Sequence, residues 1–124
     1  MIKMNALKIL GFIMVSMLVL NTGCYYDTIL PPVVDQEVSY SNDMQPFFDA
    51  KCVACHTSGS GVPLALDEGD SYDNLINGGY INTDDPSASN LYVKITPGQS
   101  MEQYATDTER ALTLAWIEQG ALNN

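Results

Sequence analysis

Two hydrophobic patterns divide the chain. From Ile9 to Leu20 the sequence is apolar and uncharged, whereas beyond residue 40 the apolar residues recur at three- and four-residue steps. That second step is the period of helices with one buried face. Met44, Phe47, Phe48, Cys52 and Cys55 fall on one such stripe, which predicts a first helix capped by Asp43 with Pro46 in its first turn. SYDNLINGG at 71–79 predicts a short helix with Ser71 as cap and Gly78 as terminator. A further short helix is expected from Ser87 to Ile95, opened by Asp85-Pro86 and burying Leu91, Tyr92 and Ile95. In the last segment Thr106 and Glu109 have the spacing of a capping box, Leu112, Ala115 and Trp116 form the apolar stripe, and Gly120 marks the stop. No segment alternates with period two over more than a few residues, and residues 57–70 are glycine-rich and irregular. The fold class expected is all-α, about four short helices with long loops.

The early apolar run has a different meaning. Lys3 and Lys8 precede it, giving the charged and hydrophobic regions of a secretory signal over residues 1–23. The run is shorter than the roughly 20 residues of a membrane-spanning helix. It ends at Asn21-Thr22-Gly23-Cys24, which resembles the lipobox of bacterial lipoproteins and makes Cys24 the expected lipidated residue, although Asn21 stands where leucine is usual. Residues 24–39 follow as lipidated cysteine and tether, with Pro31-Pro32 and scattered acids but no period, and the folded domain is expected over 40–124. The expected location is the periplasmic side of a bacterial membrane.

Charge narrows the partners. The 124-residue chain carries a formal charge of −10, and removal of residues 1–23 takes away two lysines and no acid. So acidic a surface argues against nucleic acid and against a polybasic membrane patch, and it favours basic docking surfaces on a protein partner.

The candidate chemistry lies in KCVACHTSG. Cys52, Cys55 and His56, the only histidine, fall within five residues. Cys-x-x-Cys-His is the attachment pattern of c-type haem. Thiols three residues apart on a helical turn point the same way and can reach two vinyl groups along one haem edge, and the next residue brings its imidazole under the iron. Three readings compete with it. A thioredoxin-like redox pair belongs near a βαβ pattern, which this sequence lacks. A structural zinc site wants four ligands where this chain offers three. The third is a chance match. An exported chain, however, reaches the compartment in which haem is attached.

A haem iron held by His56 has a sixth position to fill. Of the six methionines, four lie in the signal and Met44 shares the helix of the motif, which leaves Met101 in the loop before the last helix. A thioether there raises the reduction potential and closes the iron to small ligands. The competing role for Met101 is an ordinary gap-filling core side chain.

Residues 40–124 resemble the small bacterial cytochrome c domains of exported lipoproteins, through YSNDMQPFFDAKCVACH, SYDNLINGG, SNLYVKI and LAWIEQGALNN in that order. The resemblance implies the cytochrome c fold, its first and last helices crossing beside one covalent haem c, and electron transfer, expected here with redox proteins of the cell envelope; without a second histidine or a paired acid beside the iron, no enzyme is expected. It implies thioethers at Cys52 and Cys55, His56 as proximal ligand and Met101 as distal ligand. Pro63 matches a proline often found beside the proximal histidine, and Phe47 or Phe48 with Trp116 would form the aromatic contact between the terminal helices. One position departs: Glu102 follows Met101 where the family commonly has proline. That departure keeps open a second reading, a haem-based sensor with an open or exchangeable sixth position, and Tyr104 is another side chain near enough in sequence to approach the iron.

Overall fold

The computed structural model describes residues 34–124; the signal segment and Cys24 lie outside the described residues. Four α-helices order the described chain: α1 (Gln45–Lys51), α2 (Ser71–Asn77), α3 (Asn90–Ile95) and α4 (Asp107–Glu118). A wide π turn over Tyr40–Met44 leads into α1, and single 3-10 turns occupy Pro86–Ala88 and Glu102–Tyr104. Among the described residues there is no strand, so the protein is all-α over this range. None of these helices is long and apolar enough to cross a membrane.

The first helix begins earlier than Asp43. Its cap is Ser39, whose Oγ accepts from the Asn42 N–H at 3.2 Å, while the Asp43 carboxylate accepts from the Ser39 N–H at 2.8 Å. Asp43 is therefore the reciprocal partner of the cap, not the cap itself. The other free donors of this terminus are met from far along the chain: Tyr40 N–H donates to Asn124 Oδ1 at 2.8 Å and Ser41 N–H to the Asn124 carbonyl at 2.9 Å. The wide turn gives way at Gln45, one residue before Pro46, whose ring lacks a donor for the Asn42 carbonyl and would crowd it in a straight helix. The packed chain reaches back into the stretch expected as tether: Val38 is buried, and its N–H donates to Gln119 Oε1 at 2.8 Å.

Ser71 does not cap α2. Asp70 holds that position without a side-chain bond, and Ser71 is buried one residue inside. At the other end the Gly79 N–H donates to Ile76 O and the Tyr80 N–H to Leu75 O, the paired bonds of a Schellman motif. Gly79 takes the left-handed φ of +73° this requires, while Gly78 leaves room for the Tyr80 ring, which would meet an added Cβ at 2.6 Å. The helix expected from Ser87 to Ile95 is broken at Ser89, which is extended and whose hydroxyl accepts from the Asn82 N–H at 2.9 Å. Local bonding by a serine side chain here competes with helix. α4 forms as expected, with the full capping box of Thr106 and Glu109 and a left-handed Gly120 after it.

Trp116, Phe48, Met44, Leu75 and Ile117 are the largest fully buried side chains. Each apolar side chain so buried contributes about 1.5–3 kcal/mol against leaving it in water. Phe47 and Phe48 are core residues as expected, but the ring that joins the start of the first helix to Trp116 is Tyr40, at 5.3 Å between centroids. Phe48 reaches the same ring at 6.3 Å, and Tyr72 meets it edge-on at 5.1 Å. Burial pushes the Tyr40 hydroxyl pKa up to about 12, so it stays a proton donor, and it donates to Ser71 Oγ at 2.7 Å.

Candidate haem-attachment site

α1 ends at Lys51, and the cysteines lie on the single turn that follows it. Their spacing survives because one carbonyl organises the turn: Cys52 O accepts from the N–H groups of both Cys55, at 3.1 Å, and His56, at 2.8 Å. Cys52 N–H still donates to Phe48 O at 2.8 Å, which ties the turn to the helix. Cys52 is half-buried against the core, Cys55 is exposed, and both are free thiols. Burial pushes the Cys52 thiol up to about 11, and the charge of Glu109, from the first turn of α4, adds to the shift.

His56 is fixed by its own loop. Its Nδ1 lies 2.9 Å from the Leu64 carbonyl, which can only accept, so Nδ1 carries a proton and, in the neutral ring, the lone pair is on Nε2. A backbone carbonyl behind the ring is the arrangement that orients a metal-ligating histidine. Pro63 is exposed, and the carbonyl that holds the imidazole belongs to the residue after it.

The loop is closed in turn. Leu66 N–H donates to His56 O at 2.7 Å, and Asp67 gathers the Thr57 hydroxyl at 2.5 Å with the N–H and hydroxyl of Ser58. These bonds, that from Thr57 foremost, hold the Asp67 carboxyl below its ordinary range. Two helices brace the loop from behind: Gln45 Nε2 donates to Leu66 O at 3.1 Å, and Asn74 Nδ2 to Ala65 O at 2.9 Å. Gln45 Oε1 itself accepts from Ser71 Oγ, which makes Tyr40, Ser71, Gln45 and Leu66 one buried relay leading to the histidine loop. Sequence pattern pointed to none of these bracing residues. Glutamine in a helix and serine at its start carry no local sign that they will meet.

Met101 lies where the 3-10 turn Glu102–Tyr104 begins, half-buried and packed against the core cluster that Cys52 also touches. Its N–H donates to Lys94 O at 2.9 Å. The structure thus brings Cys52, Cys55 and His56 together in one turn; Met101 packs against the same core cluster as Cys52 alone of the three, with no hydrogen bond to the turn. Tyr104 is exposed, with 41% of its surface accessible. A cleft of about 430 Å³ opens between the histidine loop and α2, walled by Pro63, Asn74 and Tyr80, but no cysteine, imidazole or Met101 atom lines it. The donor set itself suits haem c: two uncrosslinked thiols, one imidazole with a free and oriented Nε2, and one thioether. No family model, curated protein or solved structure matches the chain.

Proposed function

We propose that the protein is a monohaem cytochrome c that carries single electrons between redox proteins of the cell envelope, tethered through lipid on Cys24. In this reading Cys52 and Cys55 hold the porphyrin edge, His56 holds the iron through Nε2, and Met101 takes the sixth position. Haem supplies the one-electron couple when bound; the chain's own residues set ligation, burial and access. The observation that carries the proposal is the His56 Nδ1 to Leu64 carbonyl bond at 2.9 Å, immediately after a turn that keeps both thiols in register. The cytochrome c fold is part of the same proposal, supported by the meeting of Tyr40, at the start of the first helix, with Trp116 of the last. The acidic exterior supports docking to basic partners, through a field that salt screens within about 10 Å at 0.1 M.

The test is expression of the full chain with haem-maturation machinery. The expected product is red, keeps its haem through acid-acetone extraction, and loses it in the paired Cys52→Ser, Cys55→Ser variant. A colourless protein, from cells that mature a control cytochrome, would end the proposal. Carbon monoxide added to the reduced protein then separates closed His/Met ligation, which excludes it, from an open sixth position.

A further inference from the structure

Arg110 is the chain's only arginine, and it sits where a helix least favours it. It is the fourth residue of α4, close to the positive end of the helix dipole. Its side chain is nevertheless only 16% exposed, so other contacts must hold it there. Nη1 donates to the carbonyls of Ile95 at 3.0 Å, Ala105 at 2.6 Å and, more weakly, Glu102 at 3.3 Å, while Nη2 donates to Asp107 Oδ1 at 2.7 Å. Ile95 ends α3 and Ala105 directly precedes the cap of α4, so one nitrogen ties together both ends of the loop that carries Met101.

Glu102 closes the same loop from within. Its carboxylate accepts from the Gly98 N–H at 2.7 Å. Packing gives little support on this side, because an open hollow of about 540 Å³ is lined by Gln99, Ser100, Glu102, Gln103, Ala105 and Arg110. Polar links therefore fix the loop, and a planar guanidinium can make several at fixed angles where an ammonium cannot.

We propose that Arg110 is the positioning residue of the Met101 loop, and that with Glu102 it supplies the stiffness that a proline after the methionine would otherwise give. This rests on Met101 being an iron ligand. An external ligand can bind only when the methionine swings away, so its apparent affinity reports how often the loop opens.

The test uses the full haem-loaded chain as wild type, Arg110→Gln, Arg110→Lys and Met101→Ala. It reads imidazole affinity of the oxidised protein, the sulfur–iron charge-transfer band, and amide exchange across residues 96–105. Arg110→Gln is expected to keep its haem and helix content, bind imidazole about tenfold more tightly, weaken the band and speed exchange in the loop. Arg110→Lys should fall between it and wild type, and it carries the test if the glutamine variant does not accumulate. Wild-type affinity and band in the Arg110 variants, beside a Met101→Ala that loses the band, would overturn the clamp alone. A Met101→Ala that matches wild type would overturn the ligation, and the clamp's role with it.

Discussion

The loop from Thr57 to Asp67 follows the Cys52–His56 turn and the loop from Thr96 to Ala105 carries Met101, and they are held differently. The first is braced from behind by Gln45 and Asn74, side chains of two helices, through bonds that are buried or part-buried. The second depends on part-buried bonds from Arg110 to Ile95 and Ala105 and on an exposed one from Gly98 to Glu102, at the rim of an open hollow, and has no fully buried link among these. Buried polar links resist opening because a broken one leaves a group without water, whereas links at the surface can exchange with solvent. A histidine placed by the first kind of loop is a fixture. Under the proposed ligation, the Met101 loop is the side that opens more readily.

Both loops rest on one core, and removing its centre has the largest effect. Trp116→Ala should cost about 3–5 kcal/mol, as for other buried large side chains, and both loops should lose amide protection together in a urea titration. Independent melting of the two would mean that they do not share a frame.

Within the first region, the two thiols should differ. At pH about 8 the haem-free chain should alkylate at exposed Cys55 long before Cys52, whose thiol is pushed up to about 11 by burial. Mass spectrometry of partly labelled protein reads the order, and equal labelling would show that the turn is open in solution.

Gln45→Ala separates the loops. It leaves the Ser71 hydroxyl without an acceptor and the Leu66 carbonyl without a donor, at a cost of about 1–3 kcal/mol. Amide exchange should quicken over 57–67 and stay unchanged over 96–105.

The smallest effect is set by pH. Asp67 has its carboxyl pKa lowered in the folded chain by the bonds from Thr57 and Ser58, so its contribution is fully present above the ordinary value of 3.8 and is lost as pH falls through the lowered one. Exchange at Ser58 should therefore rise only below pH about 4, and in Asp67→Asn that acid-dependent step should be absent.

Sequence pattern was most informative where bonds are local. The capping box of Thr106 and Glu109 and the stop at Gly120 follow from spacings of a few residues, and the Cys52–His56 turn is written in five consecutive positions. It was least informative where partners are distant. Asp43 looks like a cap until Ser39 takes that role, and Ser71 looks like one until it turns inward to Tyr40 and Gln45. Tyr40 stood at the expected edge of the domain, yet it is the ring that meets Trp116. Ser89 broke a helix because its hydroxyl found Asn82, a choice that apolar periodicity does not register. The fate of the position after Met101 was also hidden, since Glu102 acts by reaching back to Gly98.

Asn124 holds the opening N–H groups of the first helix, at Tyr40 and Ser41, from 84 and 83 residues away. Synthesis runs the other way, so the segment bearing the cysteines emerges early and waits for residue 124 before its entry is sealed. A chain without Asn124 would keep every residue of the motif and the Ser39 cap, and still leave the Tyr40 and Ser41 N–H groups without their acceptors.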